Sequence, residues 1–220
     1  MPPKAPKGEY IETDTGNKIS RRSLIHGTQH IILGGKTVIQ SDAVIRGDLY
    51  RSSSTSSHSH SQSSSHSSSH KPTPSTSSAS GAASQQQQQT PSVAITIGRY
   101  SYISRQAILR PPSRLHRGVY AFYPLKIGDH VFVGERAVVE AASVGNHVHI
   151  GRDAVVGSMA ILKDFAYVLD GAVVAPGMVV PSWCVVGGAP ARIVGEVGEG
   201  YGVEGAEGGM ARERYRVVGR

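Results

Sequence analysis

Histidine supplies the side chains in this sequence best suited to chemistry, and seven of the ten fall in three settings that invite it. His147 and His149 stand two residues apart, a spacing that on an extended strand puts both imidazoles on one side and could grip a borderline metal ion. A zinc-type ion needs three or more imidazole, thiolate or carboxylate ligands, and no third ligand is in view beside this pair. Both residues flank Val148, whose apolar side chain belongs inside, so alternation turns the two rings outward, toward solvent or a neighbour. His116 is the candidate general base. It sits near Arg114 and Arg117 with no carboxylate beside it, so its charged form is disfavoured and its ring has no orienting partner. His58, His60, His66 and His70 punctuate a serine tract, where metal binding would be adventitious.

The element that would hold any of these side chains in place is a repeat. Apolar anchors recur at Leu33, Ile39 and Ile45, then at Ile97, Ile103 and Leu109, then at Ile127, Val133 and Val139, and from Val144 every six residues to Val186. Of the 14 steps inside these blocks 13 are six residues long, and only Val139 to Val144 is five. Neither a helical period nor simple alternation sustains a period of six. Two residues before most anchors stands a second small or apolar side chain, such as Ala43, Ala107, Ala137, Ala142, Ala154 or Cys184, which a strand points to the same interior. Glycine follows the anchor in eight of 17 cases, which reads as a corner that glycine's backbone freedom permits. The pattern predicts an all-β solenoid, a parallel β-helix of hexapeptide repeats with five to six triangular coils. The segment before Leu33 and the chain after Val186 are expected to cover its ends.

Composition sets the boundaries. In residues 52–92, 19 of 41 positions are serine and none is Ile, Leu, Val, Phe, Tyr or Trp, so the segment cannot offset the entropy of ordering its own backbone. The expected organisation is a flexible N-terminus at 1–8, β-helix at 9–51, a disordered Ser/His/Gln-rich insertion at 52–93, β-helix at 94–195 with a corner loop at 111–124, and a glycine-rich tail at 196–220. Within that tail, Ala211 to Val218 could form a short helix or strand. The formal charge of +7 is spread along the chain, with no basic helix or aromatic-interleaved stripe, so no nucleic acid is expected as a partner. No apolar run is long enough for a spanning helix, the single cysteine cannot make an internal disulfide, and Met1 to Gly8 is no signal stretch; the expectation is a soluble intracellular protein without direct membrane insertion. Arg46 and Asp48, two apart on a strand, read as charged pairs within or between subunits. Tyr120, Phe122 and Tyr123 on the corner loop, and outward-facing Trp183, are candidate partner contacts.

Three resemblances sharpen these expectations. AVIRGD (Ala43–Asp48), SYISRQAILR (Ser101–Arg110) and VGNHVHIGR (Val144–Arg152) resemble γ-class carbonic anhydrases, whose metal is held by three histidines. In that register the three ligand positions fall on Arg110, Asn146 and Gly151, and the assisting Gln-Asp pair on Ser104 and Arg105, so the resemblance implies a site without its ligands, and no cofactor. Hexapeptide acyltransferases are a second type, for which His116 is the only plausible base, while VGGAPARIVG (Val186–Gly195) resembles their closing coil. A closer likeness runs through EYIETDTGNKIS (Glu9–Ser20), IILGGKTVIQSDAVIRGDL (Ile31–Leu49), RPPSRLHRGVYAFYPLKIGDHVFV (Arg110–Val133) and VVEAASVGNHVHIG (Val138–Gly151), which resemble the dynactin subunit 5 family. This resemblance implies a left-handed coil and a non-catalytic role in the dynactin pointed-end complex. The implied partners are dynactin subunit 6, the pointed-end actin-related protein and the large pointed-end subunit. The implied setting is dynein-dependent, microtubule-based transport of cargo such as endosomes, in the cytoplasm and at the cytoskeleton. The alternative is a carbonic anhydrase-like or acyltransferase-like enzyme.

Overall fold

The computed structural model describes residues 8–50, 92–116, 118–198, 200 and 209–218. The expected flexible N-terminus up to residue 7, and the expected insertion from 52 to 91, lie outside the described residues.

Each turn of the chain gives one short strand to each of three parallel sheets, so the fold is a three-sided prism. The first face stacks Lys18–Ser20, Val38–Ile39, Tyr102–Ile103, Phe132–Val133, His149–Ile150, Tyr167–Val168 and Cys184–Gly187. The second stacks Leu24–His26, Val44–Arg46, Ile108–Leu109, Val138–Val139, Val155–Val156 and Val173–Val174. The third stacks Ile31–Leu33, Ile95–Ile97, Leu125–Ile127, Ser143–Val144, Ile161–Leu162 and Val179–Val180. This makes six complete coils and the first strand of another. The segment before Leu33 is more than a cover: Lys18–Leu33 is itself the first coil, with Ile19 paired to Ile39 and Ile25 to Ile45. Its outward residues, Leu24 and Ile32, hid the period from a reading based on the later anchors. The covers are two reversed strands, Tyr10–Glu12 antiparallel to Lys18–Ser20 and Arg192–Glu196 antiparallel to Cys184–Gly187.

All sixteen anchors from Ile39 to Val186 are at most 3% exposed, and with the alanine row they form one continuous core. At the single five-residue step the inward small residue is Ala141, wholly buried, and not Ala142, because the shortened corner moves the register by one. Two of the buried polar side chains are received by a carbonyl of the next coil: Thr37 Oγ1 donates to the Gly98 carbonyl and Ser101 Oγ to that of Gly128, each at 2.9 Å.

The corners work differently from the sequence expectation. The residue in the left-handed region is the third after 13 of the 17 anchors, and it is seldom glycine: Lys36, Asp42, Tyr100, Gln106, His130, Arg136, His147, Asp153, Met159, Phe165 and Trp183 all have φ between 52° and 63°. The glycine directly after the anchor has no positive φ. It is there because the coil above comes too close for a side chain. A Cβ on Gly151 would lie 2.6 Å from the Asp170 backbone nitrogen, and one on Gly128 would lie 2.6 Å from Asn146 Oδ1. Those same side chains turn back to accept backbone N–H groups, Arg152 donating to Asp170 Oδ1 at 2.7 Å and Asp129 to Asn146 Oδ1 at 2.9 Å. The glycine therefore makes room for an inter-coil hydrogen bond.

Gly151→Ala is expected to destabilise the protein by about 2 kcal/mol, the ordinary cost of overpacking a tight site. Gly195→Ala, where nothing lies within 4 Å of the added methyl, is expected to be near neutral. Urea unfolding of both variants checks this, and equal midpoints would refute the steric account.

Candidate functional site

The expected corner loop is a β-hairpin, Ser113–His116 antiparallel to Val119–Phe122, at the corner between the second and third faces of the third coil. It is fastened at its base. The Ser113 N–H donates to Ser158 Oγ at 3.0 Å, the Ser158 hydroxyl donates to the Ser113 carbonyl at 2.9 Å, and the Tyr123 N–H donates to the Pro112 carbonyl at 2.8 Å. Ser158 lies on the same corner two coils further on, so the hairpin base crosses the corner of the fourth coil, where the five-residue step falls. Of the three loop aromatics, Tyr120 is 62% exposed, with its ring edge-on to Phe122, while Phe122 and Tyr123 are half-buried. Leu115, the cross-strand partner of Tyr120, is 65% exposed and was missed. Its signal was Gly118 at the centre of two β-prone tetrapeptides.

The same corner of the second coil is where the chain leaves Val44–Arg46 and returns at Ile95–Ile97. One histidine holds both flanks of that excursion. The ring of His30 stacks on Tyr50 with centroids 3.8 Å apart, and its Nδ1–H donates to the Ser92 carbonyl at 2.8 Å. Nothing in the spacing of His30 announced this role.

The outward residues at the opposite corner and on the first face form two aromatic ladders. Along the corner Tyr100, His130, His147, Phe165 and Trp183 stack in order, with centroid separations of 5.4, 4.7, 4.8 and 4.1 Å, and Lys36 Nζ lies 5.3 Å from the Tyr100 ring. On the first face Tyr102, Phe132, His149 and Tyr167 stack at 5.8, 4.7 and 4.2 Å. The repeat of these rings is the inter-strand spacing of a sheet, so identical corner geometry places them face to face. His147 and His149 thus project outward as expected, yet belong to different ladders, each between two aromatic neighbours. Trp183 is the last rung of the corner ladder and is 40% exposed.

The C-terminal helix, α1 (Gly209–Val217), lies over the start of these ladders. Tyr215 meets Tyr100 edge-on at 6.2 Å and donates its hydroxyl to the Gly16 carbonyl at 2.7 Å. The Arg214 guanidinium sits 4.2 Å from the Phe132 centroid, and Lys18 Nζ donates to the carbonyls of Tyr215 and Val218 at the helix end. No helix residue is fully buried.

The positions corresponding to metal ligands do not converge. Arg110 stands where the chain leaves the second face, Asn146 on the corner entering the first, and Gly151 where the chain leaves the first. Each has a structural occupation: Arg110 is ion-paired with Glu140, Asn146 caps the Asp129 N–H, and Gly151 makes room for Asp170. Ser104 is buried, and Arg105 is exposed on the same corner as Gly151. Among the described residues no group of three His, Cys, Asp or Glu side chains is placed to hold an ion. His116 ends the first hairpin strand. Arg46 and Asp48 pair with each other through two hydrogen bonds of 2.7 Å, and this pairing draws the Asp48 carboxyl below its usual range. Both are partly exposed, so the pair adds little stability. Among the described residues no helix is long and apolar enough to cross a membrane.

Burial in its ladder, reinforced by nearby Arg214, pushes the His149 imidazole from its ordinary 6.5 down to about 4. Burial lowers His130 and His147 as well. A depressed imidazole is neutral in the fold and protonated in the unfolded chain, so its stabilisation is complete above pH 6.5 and is lost as pH falls toward 4. His149 accounts for about 3 kcal/mol of that loss. His149→Phe, which can still stack, is expected to flatten the decline between pH 6.5 and 4.5 in urea unfolding, and an unchanged slope would refute the assignment.

Comparison with known proteins agrees with this geometry. The fold recurs in a hexapeptide transferase family protein from Anaplasma phagocytophilum, with TM-score 0.55, 16% identity and 92% of each chain covered. It recurs in a mutant of AntD, an N-acyltransferase from Bacillus cereus solved in complex with dTDP and Coenzyme A, with TM-score 0.57, 11% identity and coverage of 94% of this chain and 100% of that one. These likenesses concern the fold, the left-handed β-helix of hexapeptide repeats. A curated relative from Dictyostelium discoideum, described as Dynactin subunit 5, is 32% identical over 140 residues, 64% of this chain and 49% of the relative. The chain thus spans about half the length of that relative. The family model described as Dynactin subunit 5 matches residues 4–79 and 89–203. With the coil, its corner hairpin and the matched segments in agreement, this chain belongs to the dynactin subunit 5 family.

Proposed function

We propose that this chain is a non-catalytic subunit of the dynactin pointed-end complex, a rigid docking body for dynein–dynactin cargo engagement in microtubule-based transport. Its cargo would include endosomes, and its place would be the cytoplasm and the cytoskeleton. The proposed neighbours are dynactin subunit 6, the pointed-end actin-related protein and the large pointed-end subunit. One observation carries the reading beyond family membership: the three positions where a hexapeptide enzyme of the anhydrase type would hold its metal serve inter-coil bonding at three separate corners. The contact surfaces we assign are the hairpin, led by Tyr120 with Phe122 and Tyr123 at its base, the exposed edge of Trp183, and the Arg46–Asp48 row of the second face. That face carries an outward aliphatic row, Leu24, Val44, Ile108, Val138, Val155 and Val173, on a flat and rigid support.

A tagged copy expressed in its own cytosol is expected to co-purify with the other pointed-end subunits. Tyr120→Asp with Leu115→Asp, both exposed, is expected to reduce that recovery at least tenfold without lowering stability. Purified protein is expected to hold far less than one metal ion per chain and to show no carbon dioxide hydration after zinc or cobalt loading. Stoichiometric metal with hydration activity would overturn the non-catalytic reading.

A further inference from the structure

We propose that the open groove between α1 and the first face of the prism binds an acidic peptide segment of a partner protein. The groove has a volume of about 510 Å³, and its walls include Tyr102, Phe132, Arg105, Arg152, Arg214 and Glu135. Three of these are guanidinium groups and one is a carboxylate. Arg152 is already neutralised by Asp170 at 2.9 Å, but among the described residues the Arg105 guanidinium has no ion-pair or hydrogen-bond partner, and the Arg214 guanidinium is in no ion pair and lies against the Phe132 ring. The groove therefore presents two guanidinium groups outside any ion pair, those of Arg105 and Arg214, against the single carboxylate of Glu135. Its surroundings extend the field, since Lys36, Arg212 and Arg216 all act on Tyr100 next to it and lower its phenol.

The groove favours an extended chain over a compact small molecule. It is open to solvent, so it can take successive carboxylate side chains but does not enclose a ligand. Arg214 belongs to the helix, while Arg105 and Arg152 belong to two coils of the prism. A row of carboxylates spanning them would add ionic contacts to the hydrogen bonds and ring contacts that already hold α1, which has no buried residue of its own. This inference is independent of the assembly to which the chain belongs.

The test uses the full chain and a fluorescein-labelled hexaglutamate peptide, with hexaglutamine as its control, followed by fluorescence anisotropy. Saturable binding of hexaglutamate alone is expected, weakening at least tenfold between 50 mM and 300 mM salt, as it must for carboxylates meeting guanidinium groups (these salt values are about those at which screening changes strongly). Arg105→Glu and Arg214→Glu are each expected to weaken it at least tenfold. Arg192→Glu, on the exposed strand at the prism end, is expected to change it less than twofold. Equal weakening by all three variants would mean a diffuse basic surface and would overturn the proposal. So would equal binding of hexaglutamine, the absence of binding, or displacement of hexaglutamate by inorganic phosphate at equal concentration. Each variant is checked by urea unfolding, so a loss that follows unfolding is not scored.

Discussion

The close stacking of one coil on the next governs everything else in this molecule. Strands in adjacent coils lie about 4.8 Å apart, and at that spacing the backbone just past each anchor has no room for a side chain. Glycine at Gly128 and Gly151 accepts the approach, and Asn146 and Asp170 use it to reach back and accept an N–H from the coil below. The third residue after most anchors then turns the chain through the left-handed region, at a cost of roughly 1–2 kcal/mol for each L-residue. Continuous burial of the anchors and of the alanine row compensates that strain. Because the six-residue corners share one shape, the outward side chains they carry repeat in line with their counterparts above.

The aromatic ladders follow from that repetition. Rings at equivalent corner positions have one direction in which to point and one spacing at which to meet, which is close to the contact distance of two aromatic rings. Two histidines that look like half of a metal site become stacked rings whose imidazoles burial shifts toward the neutral form, His149 the further of the two. The same geometry separates the positions of the lost ligands, since Arg110, Asn146 and Gly151 leave three different corners of the prism.

The coil was legible because its cause is periodic. Thirteen of 14 steps at six residues identify the three-sided stack, and the exception, Val139 to Val144, marks a corner that does differ. The reading of glycine was wrong in mechanism: composition shows where glycine recurs, but whether it serves a positive φ or a close approach depends on the neighbouring coil, which is 17 to 30 residues away in these contacts. The first coil was hidden because Leu24 and Ile32 place apolar residues on the outside. The role of His30 could not be read at all, since it depends on Tyr50 and on Ser92, and the latter lies 62 residues away. Outward direction was predictable by alternation, whereas the choice of neighbour was not.

One edge of the prism absorbs every irregularity in length. Its successive corners hold the excursion between Arg46 and Ile95, then the hairpin, then the shortened step. His30 keeps the two flanks of the excursion together, and Ser158 does so for the hairpin. The remaining two edges keep strict time. This division of labour gives the molecule an evolvable seam: segments can be exchanged, lengthened or grafted along it while the other sides preserve their register.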